Sequence, residues 1–279
     1  MGAAASTIPV IPAAAAPAAP AASDAAKAPA PALFQRIALL GASLTAGFDL
    51  SEPFGGPKSQ DFRFSRFVEA AVPGAHERFA TNANALIFVQ PVNMMDKQIT
   101  ATLATKPSLV LGLDALFWFC YGHAPTEAQR LTRFESGLKL MERIDAPLIV
   151  GDIPDGSKAV GGILEKGQMP QQATIAKCNA RLASWAQGRK NVTVFPISKL
   201  MAAINANDEF KYGGVVWEKG KTLALLRDDS LHPSTHGLAL LAVTVLNGAA
   251  TSANPPLPAE SVNHDPNAVF TAASAAPAK

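Results

Sequence analysis

The chain has 279 residues, of which 48% are hydrophobic and 16% charged, with a formal net charge of +2. That composition can bury one sizeable core, and with no Lys/Arg cluster to neutralise a run of phosphates it argues against nucleic acid as a partner. No apolar run reaches the ~20 residues that a membrane-spanning helix needs.

Residues 1–32 are mostly Ala and Pro, with one Asp and one Lys. Such a segment buries too little apolar surface to offset its ordering entropy, so a disordered or polyproline-like tether is expected. It lacks the basic and Leu-rich regions of a secretory signal. A removed signal followed by a retained Ala/Pro linker would have this composition, which leads to an expected periplasmic or secreted location, with the cytoplasm as the alternative. MGAAAS also fits the N-myristoylation pattern, a cheap match in so Ala-rich a stretch. The folded domain is expected over residues 33–250, followed by a disordered Pro/Ala/Asn-rich tail over 251–279.

Within that domain, short apolar runs alternate with helix-like segments. Residues 37–41 (IALLG) read as a strand, 59–71 as a helix stopped by Pro73-Gly74, and 76–80 as a second strand. A helix is expected over 93–105 and a strand over 108–113 (SLVLGL). Residues 126–144 have helical period, with Leu131, Phe134, Leu138 and Met141 on one face. A strand over 147–153 (PLIVGDI), a helix over 172–187 and a strand over 191–197 follow. KYGGVVWEKGKTLALL reads as an inserted hairpin or irregular excursion, and 233–247 as a C-terminal helix ended by Gly248. The alternation predicts an α/β sandwich with a mainly parallel sheet. Strands apolar throughout, rather than alternating, are those covered on both faces. Ligands of such folds bind beyond the C-terminal strand ends, where Ser43 and Asp114 fall.

Taken alone, Ser43 in GASLTAGF (41–48) is a helix-capping serine in a glycine turn. No Lys-Ser/Thr follows the glycine, so the stretch is not a phosphate-binding loop. Thr45 stands where the nucleophile elbow G-x-S-x-G has its second glycine. A second feature changes its weight. Asp229-Ser230-Leu231-His232-Pro233 supplies what a serine nucleophile requires: a base to take its proton, and a carboxylate to fix that base's tautomer. Pro233 biases His232 away from helical geometry, placing it in the loop ahead of the last helix.

Together the two stretches resemble the SGNH, or GDSL, hydrolase family. GASLTAGF is similar to its first block, with Ala42 where the namesake motif has Asp. DSLHPSTHG is similar to its last block, including the Pro after His and the Gly five residues on. The resemblance covers roughly residues 36–248. It implies a three-layer α/β/α fold with five central parallel strands, Ser43 as nucleophile, His232 as general base and Asp229 as its partner. No cofactor or metal is implied; the substrate would be a small-molecule or glycan ester. Two other outcomes stay open, a non-catalytic binding module on the same fold and an acyltransferase using the same triad.

The family's oxyanion hole is matched less well. Its donors are the nucleophile's own N–H, a backbone N–H after the second strand, and an Asn side chain after the third. The first is Ser43. The second falls within Thr81-Asn82-Ala83-Asn84-Ala85, with Asn84 the choice. The third position is Asp114, in Gly112-Leu113-Asp114-Ala115, and an ionised carboxylate only accepts hydrogen bonds. Three roles are open to Asp114: a protonated, donating carboxyl; a side chain turned away while another donor substitutes; or the mark of a weakened or different catalyst. The aromatic run LFWFCYGH follows, and Trp118 and Tyr121 are candidates for a substrate-pocket wall. In HPSTH, Pro233 stands where a zincin has Glu, so no metal site is expected and His236 reads as a helix-surface residue or as one that backs the site. The carboxylates of GDIPDG (151–156) read as loop caps. Cys120 and Cys178 have no metal-ligand spacing, though they could make one disulfide.

Overall fold

A computed structural model describes residues 27–47 and 63–275. Five strands form one parallel sheet in the order β2-β1-β3-β4-β5: β1 is Ile37–Leu39, β2 Ala80–Thr81, β3 Leu109–Gly112, β4 Leu148–Gly151 and β5 Val192–Phe195. Side chains alternate across the pleat. Ile37, Leu39, Leu109, Leu111 and Ile149 point into one apolar layer, while Leu40, Val110, Leu148 and Val150 point into the other. The first layer is closed by helices α2 (Phe64–Ala71), α8 (Thr235–Ser252) and α9 (Pro266–Ala275), which pack on one another. On the second lie α3 (Pro91–Ala104), the short α4 (Phe117–Cys120), α5 (Glu127–Met141) and α6 (Gln172–Gln187). The result is a three-layer α/β/α sandwich.

The strand order reverses between β1 and β3. At such a switch point the connections leaving neighbouring strands run to opposite faces and open a crevice at the C-terminal ends. The short α1 (Ser43–Ala46) begins beyond β1 and Asp114 follows β3, so both border that crevice. Two arginines of α5, Arg130 buried and Arg133 partly buried, stiffen the second layer. Arg130 donates to the carbonyls of Cys120, Gly122, Gly167 and Gln168, and Arg133 to those of Phe119, Tyr121 and His123. They tie two loops to one helix and satisfy carbonyls that would otherwise be buried unpaired.

Several expected boundaries are corrected. The second strand is not residues 76–80 but the two-residue Ala80–Thr81, and His76 instead stacks on Phe79 with ring centroids 4.2 Å apart. The fifth strand stops at Phe195, and α7 (Ile197–Ala206) begins two residues later. Of the two readings of KYGGVVWEKGKTLALL the hairpin holds, formed by β6 (Phe210–Tyr212) and β7 (Val215–Trp217) and starting one residue earlier. Helix α8 does not end at Gly248: it continues to Ser252, and the missing side chain there leaves room for the Tyr212 ring. The tail is ordered as far as 275, with Val262, Val269 and Ala273 buried. At the other end order begins before residue 33, since the Ala30 N–H bonds the Ala75 carbonyl at 2.8 Å. Residues 1–26 of the expected tether lie outside the described residues, as do residues 59–62 of the first expected helix. Cys120 and Cys178 are both buried free thiols.

Candidate active site

The turn after β1 brings Ser43 to the crevice and is fixed from three sides. Gln98, buried on α3, clamps Gly41: its Oε1 accepts the Gly41 N–H at 2.8 Å and its Nε2 donates to the Gly41 carbonyl at 3.0 Å. Asn84 donates its backbone N–H to the same carbonyl at 3.1 Å. Asp114 holds the far side, its Oδ2 accepting the N–H groups of Leu44 (2.9 Å) and Thr45 (3.3 Å), its Oδ1 the Thr45 hydroxyl (2.6 Å). Gly41 must be glycine here. Its φ is +148°, and a Cβ would lie 2.1 Å from Asp114 Oδ1.

Asp114 is therefore an acceptor that caps the first turn of α1, the place where an anion is stabilised by orphan N–H groups. Burial nevertheless pushes its carboxyl above the usual range, against the lowering effect of these hydrogen bonds. Asp152, at the end of β4, does the same for α7. Its Oδ1 accepts the Ser198 N–H at 2.6 Å and its Oδ2 the Ser198 hydroxyl, and burial again raises its pKa. The cap expectation for GDIPDG thus has a counterpart in Asp152 and in Asp155, which accepts the Ser157 N–H at 2.9 Å.

Asp229 and His232 come from a loop closed at its neck. Leu226 bridges Pro233, and the Ser234 N–H donates to the Leu225 carbonyl at 2.8 Å. Gly237 lets α8 start against that neck, because a Cβ there would lie 2.1 Å from the Leu225 oxygen. Ser234 caps the helix by accepting the Gly237 N–H. Within the loop, Asp229 Oδ1 accepts the N–H groups of Leu231 (2.9 Å) and His232 (2.8 Å), while Oδ2 lies 2.8 Å from His232 Nδ1. The other ring nitrogen, Nε2, is 2.8 Å from Ser43 Oγ, across 189 positions of sequence. Burial acts to raise the Asp229 pKa, but the His232 ring and the two N–H groups outweigh it and hold the carboxyl below the usual range. Both side chains of the pair are buried, while Ser43 is partly exposed.

Ser230 turns this loop with φ +58°, a conformation that costs a non-glycine residue ~1 kcal/mol or more. Ser230→Gly is expected to raise the unfolding free energy by about 0.5–1 kcal/mol. Ser230→Val, β-branched, should lower it by more than ~1 kcal/mol. Urea denaturation of the two variants checks both.

Beside Ser43 opens a cleft lined by Ala42, Leu113, Phe117, Ile197 and Leu231 among others. Of the expected pocket residues, neither Trp118 nor Tyr121 lines it. Tyr121 is fully buried, with its hydroxyl donating to the Pro154 carbonyl and accepting the Gly156 N–H, both at 2.8 Å. Trp118 packs between Phe88 and Phe117, and it is Phe117 that reaches the cleft. Asn84 is corrected too: its N–H is taken by Gly41, and its exposed side chain accepts the Leu86 N–H at 2.8 Å. Sequence reading missed Gln98, Thr45, Phe117 and α7. Gln98 left one signal, as a polar residue on the face of α3 that buries Met95, Ile99 and Thr102. His236 is exposed and stacks on Phe270. Among the described residues no three His, Cys, Asp or Glu side chains gather so as to hold a metal ion, and no helix is long and apolar enough to cross a membrane.

No family model matches the sequence, and no curated protein does. Solved structures similar to the chain include the lipase/acylhydrolase from Enterococcus faecalis, 19% identical with a TM-score of 0.47, covering 77% of this chain and 96% of that one. A candidate acylhydrolase from Bacteroides fragilis is 14% identical with a TM-score of 0.49, covering 78% and 88%. A GDSL-like lipase from Bacteroides thetaiotaomicron is 13% identical with a TM-score of 0.45, covering 79% and 90%.

Proposed function

We propose that the chain is a serine hydrolase of carboxylic esters, an esterase or carbohydrate-ester deacylase of the SGNH type. The observation that carries the reading is the relay Ser43 Oγ–His232 Nε2–Asp229, with 2.8 Å at each link. Asp229 fixes the tautomer with the proton on Nδ1, which leaves Nε2 to accept the Ser43 proton. Ser43 Oγ attacks the ester carbonyl, His232 returns the proton to the departing alcohol, and water activated by His232 releases the acid from Ser43.

The developing oxyanion needs donors. The Ser43 N–H has no partner among the described residues and is the donor this reading assigns. The Leu44 and Thr45 N–H groups are committed to Asp114, and Asn84 to Gly41. Asp114 is the positioning residue for the nucleophile's turn, standing where the family's donor amide would be. An oxyanion donor is worth about 2.7–4 kcal/mol of barrier, so the reading is of a slow hydrolase. A fluorophosphonate probe tests it: folded protein should be labelled at Ser43, and Ser43→Ala should abolish labelling. An unlabelled folded protein sinks the proposal.

A further inference from the structure

The cleft beside Ser43 reaches into the first apolar layer. Its deep wall is made by Leu200, Met201 and Ile204 of α7, Trp217 of β7 and Leu241 of α8, all buried. No Lys or Arg is among the described residues that line it. The polar groups along its edge are bonded elsewhere. Trp217 Nε1 donates to Thr244 Oγ1 at 2.9 Å, Asp152 is held by Ser198, and Asp114 by Leu44 and Thr45. Beyond Ser43, His232 and the carboxyls of Asp114 and Asp152, an occupant meets mostly hydrocarbon, and the lining holds no Lys or Arg to balance an added negative charge.

Resting on Ser43 as the nucleophile, we propose that this cleft is the acyl pocket and selects a neutral aliphatic acyl group longer than acetyl. A pocket walled by core residues suits the part of the substrate that stays bound through the acyl-enzyme. The alcohol must leave before water enters, and it does so by the open side. Charge excludes one class of substrate as firmly as apolar burial favours another. A carboxylate at the far end of the acyl chain would be desolvated against leucine and tryptophan with no partner.

The test is a series of 4-nitrophenyl esters with acetyl, butanoyl, hexanoyl and octanoyl groups. Each methylene taken from water into the pocket should raise kcat/KM about fourfold until the pocket is full, so butanoyl should exceed acetyl by ~10-fold or more. The hemisuccinate, as long as butanoyl but charged, should be slower than butanoyl by at least ~10-fold. Lengthening the alcohol of an acetate ester should change the rate less than ~3-fold. Leu200→Ala deepens the pocket and should move the fastest acyl group to a longer chain; Leu225→Ala, at a partly exposed position, serves if that variant fails to fold. Cleavage of acetyl esters with a flat or falling acyl profile, or a slope that follows the alcohol, overturns the pocket assignment. Cleavage of no ester at all overturns the reading of Ser43, and the pocket assignment with it.

Discussion

Replacing His232 by alanine is expected to lower kcat for an activated ester by about 10⁴–10⁶-fold, with KM changed only severalfold. Without a base, Ser43 keeps its proton at neutral pH and attacks poorly. Adding Ser43→Ala should cost almost nothing further, because the two residues act as one unit. Asp229→Asn should cost about 10⁴-fold. Its amide can still accept the Leu231 and His232 N–H groups, so the loop should hold and the melting temperature stay close to the parent's. Asp229→Ala loses those hydrogen bonds as well and should also lower the melting temperature. The Asp229 carboxyl is held below its unfolded value, so its stabilising contribution is present above the unfolded pKa near ~3.9 and is lost only as pH falls through the lower folded value. Loss of rate in mildly acidic solution therefore does not originate at Asp229. Single-turnover kinetics and thermal melts between pH 3 and 8 check these outcomes.

The second large effect is at Asp114. Asp114→Ala removes three hydrogen bonds from the turn that carries Ser43, and a misplaced nucleophile costs ~100-fold in kcat. Asp114→Asn keeps an oxygen for the Leu44 and Thr45 N–H groups and should stay within ~10-fold of the parent. A faster Asn variant would mean that the carboxylate charge itself holds the rate down. Stability carries a second readout. Since burial raises the Asp114 pKa, the parent's contribution from this group is full below the unfolded value near ~3.9 and is lost as pH rises through the higher folded value. The amide does not titrate, so the Asn variant should gain stability relative to the parent as pH rises above the unfolded value of ~3.9. Urea unfolding at two pH values measures the difference.

The parallel sheet was legible because its strands are short, uniformly apolar and separated by helical period; residues 172–187 were read with the bounds that α6 has. Ser43, Asp229 and His232, with His232 within hydrogen-bond distance of the other two, could be picked out because the proposed nucleophile, base and carboxylate are residue types at motif spacing. What was lost has common physical causes. Val192 to Ile197 is one apolar run interrupted only by Thr193 and Pro196, and periodicity alone does not divide a strand from the helix behind it. In the run after Asp114, composition says aromatic but not which ring faces the cleft, so Phe117 was passed over for Trp118 and Tyr121. Asp114 and Asn84 were weighed by their own donors and acceptors, whereas their partners, Thr45 and Gly41, come from another part of the chain. The tail was judged by its Ala and Pro content, and the few residues that anchor it, Val262, Val269 and Ala273, do not register in a composition.

That tail has a practical side. Helix α9 packs on both α2 and α8, and Phe270 lies across the ring of His236, in the first turn of α8 and four residues after His232 in the sequence, with ring centroids 4.0 Å apart. A polypeptide trimmed at residue 250, where low complexity invites a cut, would uncover apolar faces of two helices at once. Such a surface is a site for aggregation. Expression work should therefore count residues up to 275 as part of the folded body rather than as a disposable appendage.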